Sequence, residues 1–254
     1  MNNSVLSIRN LTKRFGGLTA VNGVSLDIHA GEVVALLGDN GAGKSTLIKC
    51  VSGVHLAEEG EILFEGRIAR YATPIEARSD GIETIYQDLA LAQNLDVAAN
   101  IFLGREVKHS HLGGLIQTLD DKTMLEAAKT SLEALDIHFP SLTQPIESLS
   151  GGQRQAVAIA RAIYWNARLM IMDEPTNNLG VPEQHKVLEL IGRLKTQGVP
   201  VVLITHTMPD VFAVADRIIV MHRGRKVAEK RTSETNASEL VQYMVGALND
   251  FPVN

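Results

Sequence analysis

Residues Gly38-Asp39-Asn40-Gly41-Ala42-Gly43-Lys44-Ser45-Thr46 follow directly on the apolar run Val33-Val34-Ala35-Leu36-Leu37. An apolar strand, a glycine-rich turn and a segment suited to begin a helix leave few folds open. That is the context a phosphate-binding loop requires. Glycines let the backbone curl its N–H groups inward around an anion, and the helix that follows adds the positive end of its dipole. In such a loop Lys44 reaches the β- and γ-phosphates, and the Ser45 hydroxyl is a ligand for Mg²⁺. A glycine-rich turn that merely caps a helix is the plain alternative, and matching the whole pattern by chance is rare. The sequence therefore predicts a site for a nucleoside triphosphate.

With 254 residues the chain has room for one large domain, or for a domain with an inserted lobe. The net charge of -5 gives no electrostatic reason to expect nucleic acid as a partner. A single cysteine, Cys50, excludes an internal disulfide and fits a reducing compartment; in the helix after the loop it reads as a buried apolar thiol. The opening Met1-Asn2-Asn3-Ser4 lacks the basic start and apolar core of a signal peptide. No apolar run approaches the ~20 residues a membrane span needs. A cytosolic protein is expected, one that can still sit against a membrane protein.

Residues 5–8, 24–28 and 61–65 read as short strands between glycine-rich turns, an antiparallel region before and after the loop. From about 90 to 165 the texture becomes Ala- and Leu-rich at helical spacing, as from Met124 to Leu135. Leu169–Met172 and Val199–Thr205 are two further apolar runs with a helical segment between them. Strands alternating with helices predict an α/β fold, a parallel sheet covered on both faces. Near the end, Asn236 with Glu239 three residues on has the pattern of a capping box opening a helix to about Ala247.

Ligands of open parallel sheets sit outside the carboxyl ends of the strands. Three apolar runs here end in reactive groups: one in Gly38, one in Asp173-Glu174, one in His206. In parallel strands all three emerge on one sheet edge. There Asp173 would hold Mg²⁺, directly or through water, and Glu174 would polarise the attacking water. An Asp-Glu pair alone would read as a solvated turn; its place behind four apolar residues favours catalysis. His206 reads equally as a surface residue or as part of the site. Gln87 ends a short strand-like run at Thr84–Gln87 and would by itself be a polar loop residue. A second candidate anion site is Leu149-Ser150-Gly151-Gly152-Gln153, ahead of the helical pattern Arg154–Ile163. The alternative is an ordinary serine N-cap with permissive glycines.

Taken in order, the phosphate loop, Leu149–Gln153 and Asp173-Glu174-Pro175-Thr176 make the chain resemble, over nearly its whole length, the ATP-binding subunits of ABC transporters. The resemblance implies a single nucleotide-binding domain over 1–254, a P-loop core at about 1–88 and 165–254, an antiparallel β subdomain, and a helical signature-motif lobe at about 89–164. It makes Ser150, Gly151, Gly152 and Gln153 part of the signature motif. Gln87 becomes a γ-phosphate sensor and Mg²⁺ ligand, and His206 a γ-phosphate contact. Phe15, in Lys13-Arg14-Phe15-Gly16, matches the aromatic that stacks on adenine. It further implies a head-to-tail dimer with two ATP molecules sandwiched, each phosphate loop facing the Ser150–Gly152 helix start of the other subunit. That subunit would be a second copy or another ATPase. Leu179-Gly180-Val181-Pro182-Glu183 and Tyr243-Met244-Val245-Gly246 are similar to the carbohydrate-importer branch, in particular single-domain ATPases of fructose and other monosaccharide systems. The partners would then be a separate transmembrane sugar permease and, indirectly, an extracytoplasmic sugar-binding protein, with the chain on the cytoplasmic face of the membrane. Leu89, Leu91, Leu95 and Val97 would line a groove for the permease or pack inside the lobe. One departure stands out: the family usually carries Leu-Asp after the Walker B loop, and here the loop reads Asn177-Asn178-Leu179-Gly180. The missing aspartate keeps a regulatory subunit with weak hydrolysis as an alternative, and a soluble ATPase outside transport is a separate one.

Overall fold

The computed structural model describes residues 4–111 and 116–251, and these divide into two compact units. The first contains the chain up to Gln87, then Ala167–Pro175 and everything from Ile191 on; the second contains Asp88–Asn166 and Thr176–Leu190. The chain thus crosses between units directly after Gln87 and directly after Pro175.

In the first unit, β1 (Ser4–Phe15) and β2 (Leu18–His29) form a long hairpin around Gly16-Gly17. After β3 (Val33–Leu37) and α1 (Lys44–Val51), the hairpin of β4 (Glu59–Phe64) and β5 (Arg67–Ala69) completes an antiparallel sheet ordered β2-β1-β4-β5. Its two-residue turn, Glu65-Gly66, has φ of 49° and 76°, the mirror-image turn that matches strand twist. Next come α2 (Pro74–Ser79) and β6 (Ile82–Ile85).

The second unit packs α3 (Val97–Phe102), α4 (Asp121–Ala134) and α5 (Gly151–Tyr164) pairwise against one another. Phe102 meets Tyr164 and Trp165 with ring centroids 4.7 and 5.9 Å away. Leu91 and Val97 are buried, so both pack within this lobe. The stretch after Gln87 is held to α5 by Arg161, whose guanidinium donates to the carbonyls of Leu89 and Ala90. An exposed hairpin, β7 (Lys108–His111) with β8 (Ile116–Leu119), interrupts the expected run of helices. Lys-His-Ser-His contains no Val, Ile, Thr, Phe, Tyr or Trp, so nothing in its composition announced a strand.

The chain continues through β9 (Leu169–Asp173), α6 (Val181–Thr196), β10 (Val201–Ile204), α7 (Met208–Val214), β11 (Arg217–His222), β12 (Arg225–Arg231) and α8 (Ala237–Met244). The second sheet is ordered β12-β11-β3-β10-β9-β6, parallel throughout except for β12. Every residue of β3 and β10 is buried, which is why these strands read as unbroken apolar runs rather than alternating ones. Leu6, Ile8, Leu26 and Ile28 of the antiparallel sheet share one core with Val34, Leu36, Ile171 and Val202 of the parallel sheet and with Leu47, Ile48 and Val51 of α1. Each such side chain contributes about 1.5–3 kcal/mol by leaving water, so α1 and the loop ahead of it stand on a rigid base.

The capping box expected at Asn236 is half formed. Asn236 Oδ1 accepts from Glu239 N at 3.0 Å, but the Glu239 carboxylate takes the Thr235 hydroxyl instead. α8 ends at Met244, short of Ala247. Gly246, at φ 77°, closes it with bonds from Gly246 N to Tyr243 O and from Ala247 N to Gln242 O, the Schellman pattern for which glycine is preferred.

Candidate active site

The phosphate loop runs from the buried end of β3 into α1. Gly38 and Gly43 are there for space as much as for dihedral freedom. A Cβ on Gly38 would lie 2.4 Å from the Met221 carbonyl oxygen, and one on Gly43 would lie 2.4 Å from that of Ala20. At Gly41 a Cβ would meet nothing within 4 Å, so this side of the loop is open. Asp39, Asn40, Gly41 and Ser45 are exposed, Gly43, Lys44 and Thr46 half-buried, and Ala42 buried. Gly43 is the N-cap of α1, at φ 98°, and no side chain caps the helix. The first N–H groups of α1 therefore have no intramolecular cap and point into the loop, the arrangement that binds phosphate. Lys44 Nζ donates to the carbonyls of Gly38 (2.8 Å) and Asp39 (3.2 Å). Burial pulls its pKa down, against the opposing pull of Glu174, Asp173 and Asp39.

β3, β10 and β9 are neighbours, aligned Val201–Ile204 with Val33–Leu36 and with Met170–Asp173. Gly38, Asp173, Glu174 and His206 accordingly leave the same edge of one sheet, as the apolar runs predict. Burial raises the pKa of Asp173, and the adjacent Glu174 charge adds to that, while Lys44 and Lys49 oppose it. Glu174 sits in the left-handed region at φ 51°, its N–H bonded to Ile204 O at 2.8 Å. Its Oε1 lies 2.8 Å from His206 Nδ1. The carboxylate is largely shielded and the imidazole mostly exposed, with side chains 17% and 64% accessible. This pair joins the ends of two separate strands and gives the histidine a fixed orientation. Gln87 is exposed, two residues past β6, whose Ile85 pairs with Met172 of β9; it leaves the same sheet edge.

Phe15 closes the β1–β2 hairpin opposite Leu18 and is 44% exposed. Its ring meets His55 edge-on at 5.2 Å, with Lys13 Nζ 5.1 Å from its centroid. The Ala20 carbonyl lies against Gly43, so the hairpin that carries Phe15 runs beside the phosphate loop.

In the second unit Ser150 caps α5 with a complete capping box: its Oγ accepts from Gln153 N at 3.3 Å and its N–H donates to Gln153 Oε1 at 2.9 Å. Gly151 and Gly152 form the first turn of that helix. The sequence reading overlooked Glu183. Its carboxylate accepts from the backbone N–H of Gly180 at 3.4 Å and its side chain lies against Gly151 and Gly152; the neighbouring Ser150 hydroxyl, with the Gly180 and Gly152 N–H groups, holds its pKa below the usual glutamate range. A signal for it was present in the sequence: Gly180-Val181-Pro182-Glu183 places a glutamate at the third position of α6, where it reaches back to the N-cap N–H.

Comparison with known proteins agrees with this geometry. The ABC transporter family profile matches residues 21–177. The xylose/arabinose import ATP-binding protein of Sulfolobus acidocaldarius is 50% identical over 240 residues, 94% of this chain and 93% of that protein. The fructose import ATP-binding protein of Rhizobium meliloti is 45% identical over 96% of this chain and 94% of its own length. Among solved structures, a nucleotide-free ATP-binding cassette from an ABC transporter superposes with a TM-score of 0.80 at 28% identity, over 95% of both chains. Profile, relatives and fold agree: this chain belongs to the ABC transporter family, as one of its ATP-hydrolysing cassettes.

Proposed function

We propose that the chain drives a monosaccharide importer, hydrolysing ATP as one of a pair of cassettes beneath a separate membrane permease. The observation that carries this reading is the meeting of the phosphate loop, Asp173, Glu174 and His206 at one sheet edge, in a chain alike over nearly its full length to pentose and fructose import ATPases. No helix among the described residues is long and apolar enough to cross a membrane, which supports a peripheral subunit at the cytoplasmic face whose permease is another chain. A sugar-binding protein on the far side of the membrane would select the substrate.

ATP is the substrate. The N–H groups of Gly41 and of residues 43–45, with Lys44 Nζ, bind the β- and γ-phosphates, and Phe15 stacks on the adenine. Mg²⁺ fits the donor set: Ser45 and Asp173 offer hard oxygen ligands, with Gln87 a third, and the adjoining carboxylates of Asp173 and Glu174 leave negative charge for a divalent cation to offset. When bound, that ion screens the phosphate charges. Glu174 accepts a proton from the attacking water, and His206, steered by the same carboxylate, donates to the γ-phosphate as charge develops there. Gln87 stands at the last residue before the chain leaves the first unit, a position from which contact with the γ-phosphate passes to the helical unit. Ser150, Gly151, Gly152 and Gln153 receive the γ-phosphate bound by the other cassette.

Pairing makes turnover depend on encounter. Specific ATPase activity of the purified chain is expected to rise steeply with protein concentration, toward a plateau once dimers dominate. It is checked by phosphate release over a wide range of enzyme concentration at saturating Mg²⁺-ATP. A substantial activity that stays constant down to the lowest concentration would overturn the paired-cassette reading.

A further inference from the structure

Phe15, which the proposed site sets against adenine, is a nearly half-exposed side chain at a hairpin end, where a lone phenylalanine would be free to turn. It is instead held from a second element. Its ring meets that of His55 at 75° with centroids 5.2 Å apart, and Lys13 Nζ lies 5.1 Å from its centroid. Among the described residues the half-buried His55 imidazole has no hydrogen bond or ion pair, so its contact with Phe15 is not a by-product of polar pairing. The backbone of His55 is fixed from α1: the N–H groups of Val54 and His55 both donate to the Lys49 carbonyl, at 2.8 and 3.0 Å. At the turn before them Gly53 has φ 74°, and a Cβ there would lie 2.5 Å from the Thr73 carbonyl oxygen. Downstream, Glu58 accepts from Lys13 Nζ at 2.5 Å and from Arg14 N at 2.7 Å, while its own N–H donates to Thr12 O at 3.0 Å. Residues 54–58 are thus pinned at one end to the helix that begins at the phosphate loop, and at the other to the strand that carries Phe15.

We propose that His55 is a positioning residue for the nucleotide base: its ring holds Phe15 at a set distance from the phosphate loop, so that the aromatic is already placed when ATP arrives. The inference rests on the reading that Phe15 stacks on adenine. α1 runs from Lys44 to Val51, so one short helix carries the loop at its start and the support of His55 at its end. The spacing between the phosphate contacts and the base contact is then built into α1 rather than left to the hairpin. Ordering a free side chain on binding costs affinity, and a ring ordered beforehand avoids that loss. The near-perpendicular pair supplies the order while nearly half of the Phe15 surface stays open to a base. His55 also borders a cleft of about 340 Å³, lined by Leu11, Leu56 and Ile62 among others, so a larger aromatic ring has room in its place.

The test is equilibrium binding of ATP and of inorganic tripolyphosphate, with ATPase kinetics beside it, on the full chain and on its His55→Ala, His55→Phe and Phe15→Ala variants. His55→Ala is expected to raise Kd and KM for ATP by about two- to tenfold, the worth of one aromatic pair, with kcat and tripolyphosphate affinity unchanged. His55→Phe restores the ATP values. In the Phe15→Ala background His55→Ala has no further effect, since its contribution passes through that ring. If Phe15→Ala weakens ATP binding and His55→Ala does not, the histidine places nothing and the stacking stands without it. An equal loss for tripolyphosphate, or a further loss in the Phe15→Ala background, makes His55 a general support of the fold and also overturns the inference. If Phe15→Ala itself leaves ATP affinity intact, the stacking reading fails and takes this inference with it.

Discussion

Glu174→Gln is expected to lower the rate of ATP hydrolysis by about 10²–10⁴-fold, the usual contribution of a positioned general base, while ATP binding stays near that of the parent. Glutamine keeps the size of the side chain and can still hydrogen-bond to His206, which lies 2.8 Å from the carboxylate. It cannot accept a proton from water. In the proposed site the phosphates are held instead by backbone N–H groups of the loop and by Lys44, none of which this change touches. Single-turnover hydrolysis and equilibrium binding of a fluorescent ATP analogue separate the two effects. Hydrolysis at the parent's rate would remove Glu174 from its role and leave His206 to be examined as the group that orients water.

The second large effect is steric and falls on the loop. Gly43→Ala would place a methyl group 2.4 Å from the Ala20 carbonyl oxygen and 3.2 Å from Gly224 Cα, at a residue with φ 98°. Those neighbours are backbone in two hairpins and cannot rotate away as a side chain would. The loop must shift, and a loss of about 3 kcal/mol of stability is expected from clash and dihedral strain together. ATP affinity should fall by about tenfold or more, because the displaced N–H groups no longer converge on the phosphates. Gly41→Ala is the natural comparison. It shares a positive φ, 78°, but has nothing within 4 Å of the new methyl, so only the left-handed strain of about 1 kcal/mol remains. Urea unfolding of both variants, read beside ATP binding, tests this ordering; equal losses at the two positions would refute the packing argument.

Much of the candidate site was legible because strands buried on both faces leave a simple trace. Val33–Leu37, Leu169–Met172 and Val201–Ile204 are apolar at every position, and each ends where the chemistry begins. What the sequence hid was mostly polar. β1 and β2 run for 12 residues each, far beyond the apolar segments 5–8 and 24–28. The extension Lys13–Phe15 pairs with Leu18–Val21 across the hairpin turn through register shifts, which the apolar pattern does not record. The β7–β8 hairpin is hidden by the polar composition of β7, Lys-His-Ser-His. Glu183 was missed differently: an acidic residue in the first turn of a helix is so ordinary a cap that nothing in the sequence ties it to Gly152, 31 positions earlier and on another helix.

The backbone of Glu174 carries a consequence for how this protein can change. A non-glycine residue at φ 51° costs on the order of 1 kcal/mol or more, which glycine would avoid and asparagine would reduce. With Glu174 as the proposed general base, heat tolerance and turnover favour different residues at this position. Lineages screened only for persistence at high temperature would gather glycine or asparagine at 174, becoming sturdier binders of ATP that no longer consume it. The strained glutamate therefore persists only where hydrolysis itself is under selection.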